Sequence, residues 1–506
     1  MNQVNPPPPR IAVIDIGSNS IRLVMASIGN GRFFKIIYDQ SVSVRLEEGM
    51  GEDGGIHPDR LERAVRTLRA FREQCDRHQP LEVIAVATEA VRRAANQSEF
   101  LARVKAETGL TVKVLSGQEE AFYDYLAVVN SLSLSDGLVM DLGGGSAELI
   151  WISDRRIRES VSLPFGSISL SQRFGLYDRV QPHVERRLFD YLCRLYQGIP
   201  WLKQASREEF VGIGGSFRNL GKIDRCLKDY PLNLTHNYRL GQHDLLQIYQ
   251  MLKSQVLSER QEVKGLSEDR ADIIVGAAAA VNALVEFCGA REVTVSGNGL
   301  REGLIYSRLV PGDGLVEDVL DYSLESSLFN YGIDEKHPLQ VLRLALSLYR
   351  QLHPQQPLDS SREKVIKTAA MLHDCGIMVR YYRHHDHSFY LILNSEINGL
   401  SHRELVQSAH IAASHGRQSK AAMSHYQSLI SKEDRAFIKR AGVILKIATC
   451  LDQSMDGVVD GVECEINHDT VLIRTASQGN AELAIRAAQE TASEFKKAFK
   501  QDLLVV

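Results

Sequence analysis

Two short stretches, Asp15-Ile-Gly-Ser-Asn-Ser20 and Asp141-Leu-Gly-Gly-Gly-Ser146, restrict what this chain can fold into more than any other feature. Each ends one apolar run (11–14 and 137–140) and begins another (21–28 and 147–152). Both therefore read as strand, tight glycine turn, strand, with an acid closing the first strand. Glycine lets backbone N–H groups approach an anion with no Cβ in the way. A carboxylate beside such a turn supplies the hard oxygen that Mg²⁺ prefers. Two of these turns face to face would grip a phosphate chain from both sides.

The surrounding pattern repeats as well. Strands at 11–16, 21–28 and 33–39 precede a helix from Pro58, with Leu61, Val65, Leu68 and Phe71 on one face and proline in the permitted first turn. Strand 81–87, helix 89–107, strand 111–115 and helix 117–130 follow. From 137 the order recurs: strands 137–142, 147–152 and 157–163, helices, strand 209–213, helix 216–225, long helices to 287, strand 292–296 and helix 299–308. This predicts a duplicated α/β domain with halves at 10–133 and 134–312 and a cleft between them. Beyond 312 strands give way to helical patterns at 337–352, 362–372, 403–415 and 433–451, predicting an all-helical domain over 313–455. Strand patterns at 461–467 and 470–475 and a helix at 481–499 predict a small α/β domain over 456–506.

Composition narrows the function. A net charge of −4 over 506 residues excludes a general attraction to nucleic acid or membrane, so any polyanion site must be a local basic pocket. Cys75, Cys193, Cys226, Cys288, Cys375, Cys450 and Cys464 are scattered and contain no Cys-x-x-Cys, which fits reduced thiols in a cytoplasm. The longest apolar run, 273–284, is too short and interrupted to span a bilayer. The first ten residues lack the layout of a signal peptide and read as a flexible tail.

Between the two turns lies Ser116-Gly-Gln-Glu-Glu-Ala121, at a strand-to-helix junction. Taken alone it is a helix cap with Glu119 and Glu120 in the first turn, where negative charge suits the macrodipole. Between two phosphate-cradling turns, a carboxylate is also what a hydrolase needs to orient and deprotonate water. Arg92 and Arg93 follow strand 81–87 at the same end of the sheet; one would neutralise phosphate oxygens while the other is solvated. Gly212-Ile-Gly-Gly-Ser216 and Ser296-Gly-Asn-Gly-Leu-Arg-Glu-Gly303 are further glycine turns at matching positions.

In this order, Ile14-Asp-Ile-Gly-Ser-Asn-Ser-Ile-Arg-Leu23, Ser116-Gly-Gln-Glu-Glu-Ala121 and Met140-Asp-Leu-Gly-Gly-Gly-Ser-Ala-Glu-Leu149 resemble the exopolyphosphatase / guanosine pentaphosphate phosphohydrolase family. That family has the duplicated ribonuclease-H-like fold of the actin–hexokinase–Hsp70 superfamily. The resemblance covers about residues 10–310. It implies Glu120 as catalytic base, and Asp141 and Glu148 as the acids that hold Mg²⁺ and place the water, with Asp15 a further Mg²⁺ ligand. It also implies phosphate loops at Gly17, Ser18, Asn19 and Ser20 and at Gly143, Gly144, Gly145 and Ser146; the glycine turn at Gly214, Gly215 and Ser216 is a third candidate phosphate loop on its own sequence. Arg92 would bind the chain terminus. Arg22 stands where some relatives carry His and is given no role.

His373-Asp374, in Met371-Leu-His-Asp-Cys-Gly376, resembles the dyad of the HD superfamily of metal phosphohydrolases. By that resemblance His337 and Asp452 are the first and last ligands of a second divalent metal in an HD-like helical domain. Arg380, Arg383, His384 and His385 form a candidate basic rim for a long polyanion, or a solvated surface. The activity implied is Mg²⁺-dependent release of the terminal phosphate of inorganic polyphosphate, with guanosine pentaphosphate as the alternative substrate. An ATP-dependent kinase and an actin-like assembly protein are the competing readings on the same fold. The family resemblance also implies a cytoplasmic homodimer and leaves a monovalent cation open.

Overall fold

The computed structural model describes residues 8–50, 54–205, 208–353, 358–415 and 424–506; the expected N-terminal tail lies almost wholly outside them. Two compact units divide the chain between Glu317 and Asp318, the short segment 231–233 aside. No helix among the described residues is long and apolar enough to cross a membrane.

The first unit contains two sheets. One is ordered β3-β2-β1-β4-β5, from strands Arg10–Ile16 (β1), Ser20–Gly29 (β2), Phe33–Ser43 (β3), Glu82–Ala87 (β4) and Val112–Val114 (β5). The other is ordered β10-β11-β9-β6-β7-β8, from Gly137–Leu142 (β6), Ala147–Ser153 (β7), Arg156–Leu163 (β8), Glu209–Ile213 (β9), Tyr238–Gly241 (β10) and Glu292–Val295 (β11). The central strand of each, β1 or β6, pairs antiparallel with the strand after its glycine turn and parallel with the next βα strand. The duplication expected from the strand order is thus present. β10, unread in the sequence, is a four-residue antiparallel edge strand.

The two helices that end the halves exchange places. Helix Gly117–Val129 buries Ala121, Tyr125, Leu126 and Val129 with Val139, Ile150, Ile152, Val211 and Ile213 of the second sheet. Helix Leu300–Leu309 buries Leu300, Leu304, Ile305 and Leu309 against Ile11, Val13, Val24 and Val86 of the first. By packing, each belongs to the half opposite to its place in the sequence, so the halves are not the consecutive blocks 10–133 and 134–312. The helices meet where a Cβ on Gly303 would overlap the carbonyl oxygen of Tyr123.

The unit also extends past 312. Asn130 donates to Gly314 O at 2.7 Å and accepts from Val316 N at 2.9 Å, and Arg155 donates to Val316 O and Glu317 O, each at 2.8 Å. The expected helix 89–107 breaks into Glu89–Arg93 and Gln97–Thr108, because the Asn96 side chain clamps both backbone groups of Ile56, at 2.8 and 3.1 Å.

The second unit has helices Val319–Tyr331, Lys336–Leu352, Ser360–Leu372, His384–Asn394, His402–Ala412 and Lys432–Leu451. The first escaped the sequence reading because Ser323 and Ser327 share its buried face with Leu320, Leu324 and Leu328 and blur the apolar period. Strands Val459–Ile466 (β12), Thr470–Ser477 (β13) and Asp502–Val505 (β14) form a sheet that is not a separate domain. Gln340 and Gln351 donate to the β12 carbonyls of Val459 and Val462 at 2.6 and 2.8 Å, and Gln351 accepts from Cys464 N at 2.7 Å. Helical side chains thereby cover an edge that would otherwise expose unpaired backbone groups. The expected helix 481–499 is interrupted near Thr491, whose hydroxyl bonds Ala488 O at 2.7 Å.

If the crossed helices fix the first unit, Gly303→Ala must separate them. We expect thermal unfolding of that variant to show a loss of roughly 1–3 kcal/mol, the usual cost of overpacking. An unchanged melting temperature would mean the crossing yields easily.

Candidate active site

Both glycine turns close with the same bond: Gly17 N donates to Ser20 O, and Gly143 N to Ser146 O, each at 3.1 Å. Their carbonyls are tied back into the protein. Asn19 O accepts from Val44 N and Arg45 N at 3.0 and 2.8 Å, and Gly144 O accepts from Ile168 N at 2.9 Å. The N–H groups of Ser18, Asn19, Gly144 and Gly145 have no backbone acceptor among the described residues, which is the arrangement of an anion nest. The turns abut: a Cβ on Gly144 would lie 2.9 Å from the Ser18 Cβ and 3.4 Å from Asn19 N.

They form one wall of a cleft of about 120 Å³, which Asp15, Glu120, Asp141, Gly214, Gly215 and Gly299 also line. Gly214 opens the helix Gly214–Leu227 beside Asp141; a Cβ there would sit 2.7 Å from Asp141 Oδ1. The helix has no side-chain cap at its start, so its first N–H groups add to the positive end of the cleft.

Glu120, Asp141 and Glu148 each bring one carboxylate oxygen within 4.8 Å of the others. Asp141 and Glu148 are direct cross-strand partners in β6 and β7. Burial, together with Glu148 and Asp141, lifts Glu120 well above the usual carboxylate range. Glu148 is pushed up to about 8 by burial and by Asp141, despite the Ser162 hydroxyl donating at 2.8 Å. Asp124, one turn after Glu120, is fully buried and lifted well above the usual carboxylate range by burial and by Asp141. Buried carboxylates crowded in this way need a proton or a cation among them.

Facing them, Arg22, Arg218, Arg270 and Arg301 line the same cleft. Among the described residues only Arg301 of these is ion-paired, with Asp39 at 3.2 Å. Burial and the neighbouring Arg22, Arg301 and Arg270 pull Arg218 down to about 9; burial and Arg22 pull Arg270 down to about 10. Guanidinium groups held this close, out of water, are complementary to a polyanion.

Residues 23–310 match the model of the Ppx/GppA phosphatase family, and residues 320–487 match its domain III. The chain belongs to the Ppx/GppA phosphatase family. Its curated relatives include a guanosine-5'-triphosphate,3'-diphosphate pyrophosphatase of Pseudoalteromonas atlantica, 28% identical over 404 residues, covering 77% of this chain and 76% of that one. Among solved structures, an exopolyphosphatase from Cytophaga hutchinsonii is 29% identical with a TM-score of 0.56, covering 61% of this chain and 99% of that one. The Aquifex aeolicus family member is 31% identical with a TM-score of 0.52, covering 60% and 98%. The duplicated actin-like fold expected from the sequence is the fold of this family.

In this Ppx/GppA protein most of the anticipated residues meet at one cleft, but four are placed differently. Glu148 is buried beside Asp141 and lies outside the cleft lining. Asp15 lies outside the three-acid group and faces Arg22, its partner in the β1–β2 register, and Arg301. Arg92 is not in the cleft lining; it donates to Glu120 at 3.2 Å, to Leu115 O at 2.6 Å and to Glu89. Ser216 is buried one residue behind the lining glycines. Arg93 is exposed, as one of the pair was expected to be.

The sequence reading missed the arginines. Arg22 has no role by the resemblance, and Arg218 and Arg301, just after one glycine turn and within another, carry no local signal that separates them from solvated arginines. Arg270 ends a single 3-10 turn, Glu268–Arg270, and no local pattern marks it.

Glu47 packs behind the turns, its Oε2 2.6 Å from where a Cβ on Gly145 would stand, and burial pushes its carboxyl from 4.5 up to about 7. The folded state therefore keeps a proton that the unfolded chain releases between those values. Stability from this group is fully present below 4.5 and falls as pH rises through about 7. Glu47→Gln should melt close to the native protein at about pH 5 and above it at about pH 8, by at most about 3 kcal/mol. A difference independent of pH would place the Glu47 carboxyl in water.

Proposed function

We propose that this protein hydrolyses the terminal phosphoric anhydride bond of inorganic polyphosphate, with water as nucleophile. The observation that carries the reading is the cleft itself: two abutting N–H turns and four arginines face three clustered acids. Such a site suits an extended oligoanion with one reacting end.

Mg²⁺ fits the oxygen-only donors of Asp141 and Glu148, direct cross-strand partners whose carboxylates crowd one another. When bound there, it neutralises charge developing on the transferred phosphoryl oxygens. Asp15 as an additional ligand rests on the resemblance. The turn N–H groups hold the terminal phosphate, and Arg218 and Arg270 neutralise its oxygens. Glu120 takes the proton of a water aligned with the scissile bond. Arg92 orients the Glu120 carboxylate through its bond to Oε2 and favours its charged form. The reading also includes a homodimer, which rests on the resemblance, and a cytoplasmic location, which the scattered cysteines without a Cys-x-x-Cys fit; it leaves a monovalent cation open.

Guanosine pentaphosphate is the second reading, favoured by the name of the Pseudoalteromonas relative. It presents the same kind of terminus to the same turns. Side-by-side kinetics on the two substrates decide between them: the higher kcat/KM names the substrate. A kinase would instead require a nucleotide and an acceptor, so phosphate release from long-chain polyphosphate alone supports the hydrolase.

Glu120→Gln should keep the fold and lose about 10²–10⁴-fold in turnover; a near-normal rate would make Glu120 structural. Arg270→Ala should raise KM for polyphosphate by roughly 10–100-fold and reduce its salt dependence, as expected when one charge-assisted contact worth about 1.5–3 kcal/mol is removed. An unchanged KM at low salt would take Arg270 out of the binding site.

A further inference from the structure

His337, His373 and Asp374, anticipated for a second metal, bring one ligand atom each within 4.8 Å of one another, and Asp452 meets His337 Nδ1 at 2.7 Å. His236, in the first unit, has a different setting, because both its ring nitrogens meet backbone. Its Nδ1 accepts from Gly297 N at 3.0 Å, and its Nε2 donates to Ser131 O at 3.0 Å. A backbone N–H only donates and a backbone carbonyl only accepts. The two partners therefore fix a neutral ring with its proton on Nε2.

These partners belong to the segments that carry the exchanged helices. Ser131 follows helix Gly117–Val129, which bears Glu120, and Gly297 precedes helix Leu300–Leu309, which bears Arg301. The imidazole thus bridges the end of one exchanged helix and the turn that begins the other. The contact is close as well as polar, since a Cβ on Gly297 would lie 3.0 Å from the His236 Cβ. Bonds from Asn237 N to Val295 O and from Ser296 N to Gly212 O, each at 2.8 Å, fasten both sides of it to the second sheet.

Gly297 also faces the cleft arginines: Arg218 Nη1 donates to its carbonyl oxygen at 3.3 Å. Arg218 needs such an anchor. It is buried beside Arg22, Arg270 and Arg301, whose like charges repel it. A guanidinium free to rotate there would pair with the acid trio, and the bond to Gly297 O opposes that. We propose that His236 is a positioning residue for substrate: by holding the Gly297 turn, it keeps the Arg218 guanidinium apart from the acids, where it receives the oxygens of the terminal phosphate. This role rests on the proposed binding of substrate phosphate by Arg218. It bears on binding rather than on bond cleavage, because Arg218 holds the phosphate before and during the reaction alike.

The test measures binding of tripolyphosphate with Mg²⁺ to full-length Glu120→Gln by calorimetry, together with kcat and KM for polyphosphate in the otherwise native chain. His236→Asn keeps an acceptor in the place of Nδ1, whereas His236→Gln reaches Ser131 O but leaves Gly297 N without its acceptor. His236→Gln should weaken binding by roughly 2–10-fold, the effect of one lost hydrogen bond. KM should rise by the same factor with kcat close to native, and His236→Asn should restore most of the affinity. On an Arg218→Ala background His236→Gln should add nothing, because the group through which it acts is gone. Circular dichroism checks the fold of each variant. Gly297→Ala, whose Cβ presses on His236 and which lies outside the cleft lining, should weaken binding likewise and serves where His236→Gln does not fold. Three results would overturn the proposal: native affinity in His236→Gln, a loss of equal size with and without Arg218, or a fall in kcat at unchanged KM. If the native chain released no phosphate from polyphosphate while this binding pattern held, the hydrolase reading would fail and the role of His236 would stand.

Discussion

The approach of two glycine turns to van der Waals distance is the constraint from which the rest of the first unit follows. With Gly144 against Ser18, nothing larger than a hydrogen can project between the turns, and their free N–H groups converge on a single volume. Holding them there requires two sheets in fixed relation, and the exchanged helices supply it. Each half contributes a helix to the core of the other, so neither sheet can shift without exposing Leu304 and Ile305 on one side or Tyr125 and Leu126 on the other. Burial of several large apolar side chains, each worth about 1.5–3 kcal/mol, maintains a contact that hydrogen bonds at the turns alone could not.

The duplication is geometric but not electrostatic. In the first sheet Asp15 pairs across the ladder with Arg22; in the second, Asp141 pairs with Glu148 at the equivalent register. One turn therefore carries its own counter-charge, whereas the other places two acids opposite each other, an arrangement that is unfavourable without a cation. A single difference in residue type at one strand position thus separates a self-neutralised corner from one suited to a divalent ion. It also accounts for Asp15 standing apart from the acid trio even though the two turns share Asp, Gly and Ser at matching positions.

Much of this was legible in the chain. The strand–turn–strand pattern, the duplication and Asp141 could be read because each depends on local spacing or on glycine chemistry, whereas Glu148 and the role of Glu120 rest on the family resemblance. What could not be read depends on contacts distant in sequence. Arg270 reaches the cleft only because its turn packs over Gly215. The exchange of helices Gly117–Val129 and Leu300–Leu309 leaves no periodic trace, since an apolar face does not specify which sheet covers it. His384 sits among Arg380, Arg383 and His385, and only the fold shows that its ring turns inward to Asp374.

The placement of opposite charges in the cleft argues for preorganisation. Arginines and carboxylates line the same small volume, and flexible side chains in water would pair with one another. Arg92 does so with Glu120. Arg218 does not: its Nη1 donates to Gly297 O at 3.3 Å, and among the described residues it has no ion pair with the acid trio. Keeping these charges apart costs stability, as the depressed Arg218 and the raised Glu148 both record. That cost is recovered only when a ligand carrying both a cation and several anionic oxygens enters, because either ion alone leaves one set of charges uncompensated. A metal-bound phosphate chain meets that condition, and the groups that must stabilise developing charge are then already in position before the bond breaks.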